Sequence, residues 1–270
     1  MKKIVFVTGA SAGIGKATAK HLAQNGYTVY AAARRAEKMN DLLPLGVKVI
    51  PLDVTSDALM VDAVSQIVDA EGKIDVLVNN AGFGSYGAIE DVPMADAKYQ
   101  LEVNVFGAAR LIQLVLPYMR KRGYGKIVNI SSVGGKFATP LGGWYHASKF
   151  AVEGLSDSLR NEVKDFGIDV IIIEPGGIKS EWGGIANESM IKVSGDTAYK
   201  PLVDKLSKTL QSIEMKLPEP LIIAALIKKA IEAKEPKARY VAGYMAKSSV
   251  IARKLLSDKM MDKMLKTQMK

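Results

Sequence analysis

Cysteine is absent from the chain, and histidine occurs only as His21 and His146. Disulfides and thiolate chemistry are thereby excluded, with nearly every dedicated zinc site, so no metal site is expected. No stretch approaches the ~20 consecutive apolar residues of a bilayer-spanning helix. The opening run, Met1-Lys2-Lys3-Ile4-Val5-Phe6-Val7-Thr8-Gly9, has too short an apolar part for a secretory signal and enters a strand at once. A cytoplasmic location is the simplest expectation. Aromatic residues make up 7% of the chain and nowhere interleave with a basic run, so nothing speaks for a nucleic-acid partner. Internal repeats and low-complexity linkers are missing too.

What is present is an apolar fraction of 48% over 270 residues, enough for one large α/β core. One domain over 1–270 is expected. The net charge of +9 is unevenly placed: residues 1–186 carry 20 Lys and Arg against 19 Asp and Glu, whereas 187–270 carry 17 against 9. Seven of the twelve methionines also fall in 187–270, which marks that third as a different kind of surface.

Runs rich in Val and Ile at Ile4–Thr8, Thr28–Ala32, Val47–Leu52, Val76–Asn79, Lys126–Ile130, Val170–Ile173 and Tyr240–Val241 read as strands. Helical patterns at Ile14–Gln24, Asp57–Ala70, Asp96–Arg122, Tyr145–Asp165 and Thr197–Ile213 separate them. Strands apolar on both faces and alternating with helices predict an α/β fold, a doubly wound parallel sheet of about seven strands with helices on both faces. Pro175-Gly176-Gly177 ends the sixth strand and Gly183-Gly184 follows, so residues 176–200 are expected to form a mobile loop beyond that strand's carboxyl end. Such a loop is a candidate lid, with an ordinary surface connection as the alternative.

Thr8-Gly9-Ala10-Ser11-Ala12-Gly13-Ile14-Gly15 follows the first strand and opens a helix. Gly9, Gly13 and Gly15 let the chain turn sharply and approach a pyrophosphate, whose charge meets amide N–H groups and the helix N-terminus. At the end of the second strand, where a site for an unphosphorylated ribose carries an acid, the chain reads Tyr30-Ala31-Ala32-Ala33-Arg34-Arg35, with no carboxylate before Glu37. Two guanidiniums suit a 2′-phosphate, so NADP(H) is favoured over NAD(H).

Tyr145 and Lys149 stand four residues apart in Gly143-Trp144-Tyr145-His146-Ala147-Ser148-Lys149-Phe150. On a helix that spacing puts both on one face, so that an ammonium can favour an ionised phenol. Bringing a phenol from ~10 to near neutrality takes roughly 4 kcal/mol of differential stabilisation. Adjacent helical positions diverge by about 100°, so His146 is expected to face solvent or a neighbouring subunit. His21 reads as a surface or packing residue.

These motifs together resemble the classical branch of the short-chain dehydrogenase/reductase family, over the first ~185 residues and in the family's order. The resemblance rests on Thr8 to Gly15, Asn79-Asn80-Ala81-Gly82, Asn104 in Val103-Asn104-Val105, Ser132 in Asn129-Ile130-Ser131-Ser132, Tyr145 with Lys149, and Pro175-Gly176. It implies that Ser132 polarises the substrate oxygen, that Tyr145 passes the proton, and that Lys149 holds the nicotinamide ribose and lowers the tyrosine pKa. Asn104 would anchor a water extending the proton relay. Cofactor contacts implied in the same way are Gly9, Ser11, Gly13, Ile14, Gly15, Arg34, Arg35, Asp53 with Val54, Asn80, Ala81, Gly82, Tyr145, Lys149, Pro175, Gly176, Ile178 and Ser180. Asp53 is open to two readings, an adenine contact or a cap for the following helix. Serine stands at 180 where the family most often has threonine. Ser131 has the better claim to be structural.

Apolar residues at 251, 255, 256, 260, 261, 264 and 265, with lysines between them, read as a C-terminal amphipathic helix. It could pack on its own domain or a second subunit, rest on a membrane surface, or close a lipophilic pocket; the first is favoured. The extension resembles the branch that holds hydroxysteroid and retinol dehydrogenases and related bacterial reductases, which implies an apolar alcohol or ketone as small-molecule substrate. The resemblance also implies a homodimer or homotetramer. The leading expectation is an NADP(H)-dependent oxidoreductase; the alternatives are a non-catalytic dinucleotide-binding regulator and a 3-oxoacyl-thioester reductase.

Overall fold

A computed structural model describes residues 2–268. Seven strands form its centre: β1 (Ile4–Thr8), β2 (Thr28–Ala33), β3 (Lys48–Pro51), β4 (Val76–Asn79), β5 (Gly125–Ile130), β6 (Ile168–Pro175) and β7 (Arg239–Ala242). All pair in parallel, in the order β3-β2-β1-β4-β5-β6-β7. Alternate residues of β1 show why both faces must be covered. Ile4 and Phe6 enter one buried apolar cluster, and Val5 and Val7 enter the other. A strand with no polar face can only lie between two helical layers.

The helices supply those layers. On one side lie α2 (Asp57–Glu71), α4 (Gly107–Arg122) and α5 (Gly143–Val163), contributing Ile67, Leu111, Val115 and Leu159. On the other lie α1 (Gly13–Gln24) and α8 (Leu221–Glu232), contributing Leu22, Ile223, Ile227 and Ile231. Between α2 and α4 comes α3 (Met94–Leu101), continuous with α4 through a π turn at Glu102–Phe106. The expected helix 96–122 is therefore one rod with a wide turn in its middle. The strand order reverses between β1 and β4, and Val7 stands opposite Val78, so the ends of these strands open side by side into a crevice.

The last third departs from expectation. Residues 176–200 are not one loop: α6 (Glu181–Ser194) occupies most of the segment and is followed by α7 (Lys200–Ile213). Trp182, Ala186 and Met190 repeat at helical spacing and pack with Val203 and Leu206 of α7. Gly183 and Gly184 masked this, yet a Cβ at either would meet open space, so the fold places no steric demand on them. The sequence of α8 carries no periodic signal, because Leu-Ile-Ile-Ala-Ala-Leu-Ile shows neither the helical nor the strand period. The C-terminal helix is two, α9 (Ala246–Leu255) and α10 (Asp258–Gln268), broken where Leu256 is extended at ψ 140°. Met261 is buried, whereas Ile251, Leu255 and Met260 remain exposed. Among the described residues, no helix is long and apolar enough to cross a membrane.

Candidate active site

The phosphate turn is built by close backbone approach. Gly9 has φ +65°, and a Cβ there would lie 2.7 Å from Ala81 Cα. A Cβ on Gly15 would collide with Asn80 Nδ2 and Gly9 O. Asn80 explains the crowding: its amide donates to Thr8 O and Gly9 O at 3.0 and 3.1 Å, while the Thr8 hydroxyl accepts from the N–H groups of Asn80 and Ala81, both at 3.1 Å. Asn80, assigned to the cofactor by resemblance, thus also braces the turn. The N-terminus of α1 has no capping side chain and no acid in its first turn, which leaves its free N–H groups to an anion.

A cleft of about 790 Å³ runs from this turn along the carboxyl ends of the strands. Every residue carried over by resemblance lines it except Gly15 and Asn104. At one end Arg34 donates to the Tyr99 hydroxyl at 2.8 Å, and Arg35 pairs with Glu181 at 3.0 Å. Asp53 accepts at Oδ1 from the N–H and hydroxyl of Thr55, at 3.0 and 2.8 Å, whereas the cap of α2 is Ser56. Val54 sits so close that a Cβ on Gly107 would meet its carbonyl at 2.6 Å. Pro175, Gly176, Ile178 and Ser180 line the same cleft after β6.

At the other end stand Ser132, Tyr145 and Lys149. Ser132 Oγ accepts from Gly134 N–H at 3.0 Å and lies 3.4 Å from Pro175 O, tying the ends of β5 and β6 together. Asn104, in the π turn, clamps Phe83: Oδ1 accepts its N–H at 3.0 Å, and Nδ2 donates to its carbonyl at 2.9 Å and to Ser148 Oγ at 3.0 Å. Lys149 Nζ donates to Ile130 O at 2.9 Å and lies 5.9 Å from the Tyr145 ring centre.

Electrostatics here differ from expectation. Burial pushes the Tyr145 phenol up to about 12, with only the Ser132 hydrogen bond pulling it down. Burial also draws Lys149 down to about 8, partly offset by the Glu153 carboxylate. The sequence spacing predicts a phenol lowered by its ammonium neighbour; in the protein alone, desolvation outweighs that attraction.

His146 also differs. It is buried, and it pins the loop between β5 and α5: Nε2 accepts from Thr139 N–H at 3.0 Å, which leaves Nδ1 to donate to Gly134 O at 2.9 Å. The ring is therefore the neutral Nδ1–H tautomer, and burial lowers its pKa. The 100° step along α5 points it not to solvent but to a loop that returns over the helix, with its ring still 5.6 Å from that of Tyr145. His146→Phe is expected to destabilise the fold by about 1–3 kcal/mol, since the Thr139 N–H loses its acceptor, and to lower kcat through a loosened Ser132. Urea denaturation checks the first and steady-state kinetics the second. Ser131 is buried with its hydroxyl unpartnered, and His21 is half-buried on α1. Among the described residues, no cluster of three or more His, Cys, Asp or Glu could hold a metal.

The sequence did not single out Tyr86 and Trp182. The Tyr145 ring lies 5.8 Å from Tyr86 and 5.1 Å from Trp182, centre to centre, and those two rings meet edge-on at 5.7 Å. Phe137, Ile185, Leu210, Ile213 and Leu217 extend this apolar wall. The available signal was a large aromatic inside a glycine-rich segment beyond a strand end, as in Gly84-Ser85-Tyr86-Gly87.

The sequence model of the short chain dehydrogenase family matches residues 3–190. The chain is 37% identical over 245 residues to the 3-ketodihydrosphingosine reductase of Bacteroides thetaiotaomicron, covering 89% of this chain and 88% of that protein. It is 35% identical over 278 residues to the NADPH-dependent 3-dehydrocapnine reductase of Ornithobacterium rhinotracheale, covering 99% and 98%. A crystal structure of a short-chain dehydrogenase from Streptomyces avermitilis superposes with a TM-score of 0.82 at 33% identity, covering 98% and 96%.

Proposed function

Because the chain belongs to the short-chain dehydrogenase family, we propose that it reduces the carbonyl of an apolar ketone with NADPH, using Tyr145 as the proton donor. One observation carries this reading: a single cleft joins a glycine turn and two arginines at one end to Ser132, Tyr145 and Lys149 under an aromatic wall at the other. The residues present fit a dinucleotide. The uncapped α1 start and the Cβ-free turn suit a pyrophosphate, and Arg34 and Arg35 suit a 2′-phosphate. Asp53 has one carboxylate oxygen left for an adenine amine, since Thr55 takes only Oδ1. Ala81 and Gly82 would flank the ribose, while Pro175, Gly176, Ile178 and Ser180 would border the nicotinamide. When bound, the cofactor supplies a hydride at C4 of its nicotinamide.

The chain's own groups handle the oxygen. Ser132 holds the carbonyl oxygen and the phenol of Tyr145 delivers the proton. A phenol at about 12 stays protonated at neutral pH, and the alkoxide left by hydride addition is a stronger base than a phenolate, so the transfer runs downhill. Lys149 stabilises the phenolate that results, and a proton from solvent restores the phenol for the next turnover. Tyr86, Trp182 and Leu210 exclude water and favour an apolar substrate. The two relatives named for their reactions are both reductases, one of a 3-keto and one of a 3-dehydro compound, which supports the direction. Exposed Phe150, Leu155 and Tyr118 on α4 and α5 support a homodimer or homotetramer.

NADPH consumption against ketones graded by size and polarity tests the reading: rates should rise with apolar length, and no turnover on any of them would sink it. The cofactor assignment has its own test. Arg34→Ala combined with Arg35→Ala is expected to raise the KM for NADPH about 10- to 100-fold, as two charge-assisted contacts are lost, and to leave that for NADH nearly unchanged. Equal effects on both cofactors would refute the 2′-phosphate role.

A further inference from the structure

Glu181 opens α6, and its carboxylate reaches across the cleft. Oε2 accepts from Arg35 Nη2 at 3.0 Å, and Oε1 lies 3.3 Å from Lys38 Nζ. The reach is short because the strap leading into α6 crosses the phosphate turn: a Cβ built on Gly13 would stand 3.3 Å from Ser180 Cβ. On its far side the strap is tied again, Lys179 to Glu219 at 3.0 Å. Arg34 is differently placed. Its guanidinium donates to the neutral Tyr99 hydroxyl, and no carboxylate among the described residues lies within ion-pair distance. Two arginines adjacent in sequence thus meet different partners, one a phenol and the other an acid 146 residues away.

We infer that Glu181 is a cofactor-specificity residue, whose carboxylate competes with the ribose 2′-phosphate for Arg35 and so weakens the preference for NADP(H) over NAD(H). The inference rests on reading Arg34 and Arg35 as the 2′-phosphate site. A phosphate arriving there meets a guanidinium already holding an anion, and like charges brought onto one cation repel. The other charges at this rim do not relieve it: Asp41 is held by Lys16 at 2.8 Å, and Lys38 is shared with Glu181 itself. Arg35 and Lys38 keep the Glu181 carboxyl below the ordinary range, so it is ionised at neutral pH. A ribose with a free 2′-hydroxyl brings no charge and enters no such contest. Both partners are half-exposed, so the competition is screened and its size modest.

Calorimetric titration of the cofactor-free protein with NADP+, NAD+, 2′,5′-ADP and 5′-ADP tests this without turnover. Glu181→Gln is expected to tighten NADP+ and 2′,5′-ADP about two- to fivefold, to leave NAD+ and 5′-ADP unchanged, and to lose this gain as NaCl rises from about 50 to about 500 mM. An equal change for both ligand pairs, or weaker binding of the 2′-phosphorylated pair, overturns the inference. The double Arg34→Ala, Arg35→Ala variant in the same titration separates the two readings. Selective loss of 2′,5′-ADP there, with an unchanged ratio in Glu181→Gln, removes only the role of Glu181. No loss of 2′,5′-ADP over 5′-ADP removes the 2′-phosphate site and this inference with it.

Discussion

Tyr145→Phe is expected to lower turnover of a ketone substrate by about 10²- to 10⁴-fold, the range that a positioned general acid supplies. The change removes one oxygen and keeps the ring that packs against Tyr86 and Trp182, so the wall of the cleft survives. NADPH affinity, read by the fluorescence of the bound nucleotide, should stay within about twofold, because the contacts proposed for its phosphates lie at the opposite end of the cleft. The variant loses a buried hydroxyl and with it the Ser132 hydrogen bond, so its stability should fall by no more than about 1 kcal/mol. A variant that keeps more than about a tenth of the parent's kcat would remove Tyr145 from the proton step.

Lys149→Met is expected to separate stability from activity. Burial draws this lysine from its ordinary 10.5 down to about 8, so the folded protein at pH 7 carries a charged group where it is disfavoured. That depression corresponds to a penalty on the order of 3 kcal/mol, present in full below pH 8. Between about 8 and 10.5 the unfolded chain binds the proton that the folded protein has released, so this group's contribution to stability rises with pH across that window. Methionine fills a similar volume without the charge, and the lost hydrogen bond to Ile130 O returns about 1–1.5 kcal/mol of the gain. The cofactor-free variant should thus be more stable by roughly 1–2 kcal/mol in urea at pH 7, with the advantage fading near pH 10, while turnover falls about 10²-fold or more. A variant less stable than the parent at pH 7 would contradict the burial argument.

Legibility in the sequence followed the range of the interaction. Strands such as Ile4–Thr8 and Val76–Asn79 declared themselves, because a strand apolar on both faces has one solution in an α/β fold. The phosphate turn and the Tyr145–Lys149 pair were readable for the same reason, since a few consecutive residues carry each geometry. The burial of His146 is not legible in the sequence, because its partners, Gly134 and Thr139, sit on a loop whose path no periodicity encodes. Tyr86 and Trp182 meet across 96 positions, and Arg35 and Glu181 across 146, so neither contact leaves a local trace. The tyrosine pKa shows the limit most clearly: spacing reports that a cation is near, but the sign of the shift depends on how much water is left, and that is a property of the packed site.

The π turn at Glu102–Phe106 has a bearing on chain length. In an α-helix each residue advances the side-chain direction by about 100°, and a turn that holds one residue more takes up that residue without rotating the segments on either side. Upstream of the turn, Ala97 and Gln100 face inward; downstream, Gly107, Leu111 and Val115 do. Asn104 lies within this wide turn, with its amide on Phe83 and Ser148. A one-residue deletion inside the turn is therefore expected to close it into an unbroken α-helix with both halves still facing the core, at the cost of the clamp that Asn104 places on Phe83.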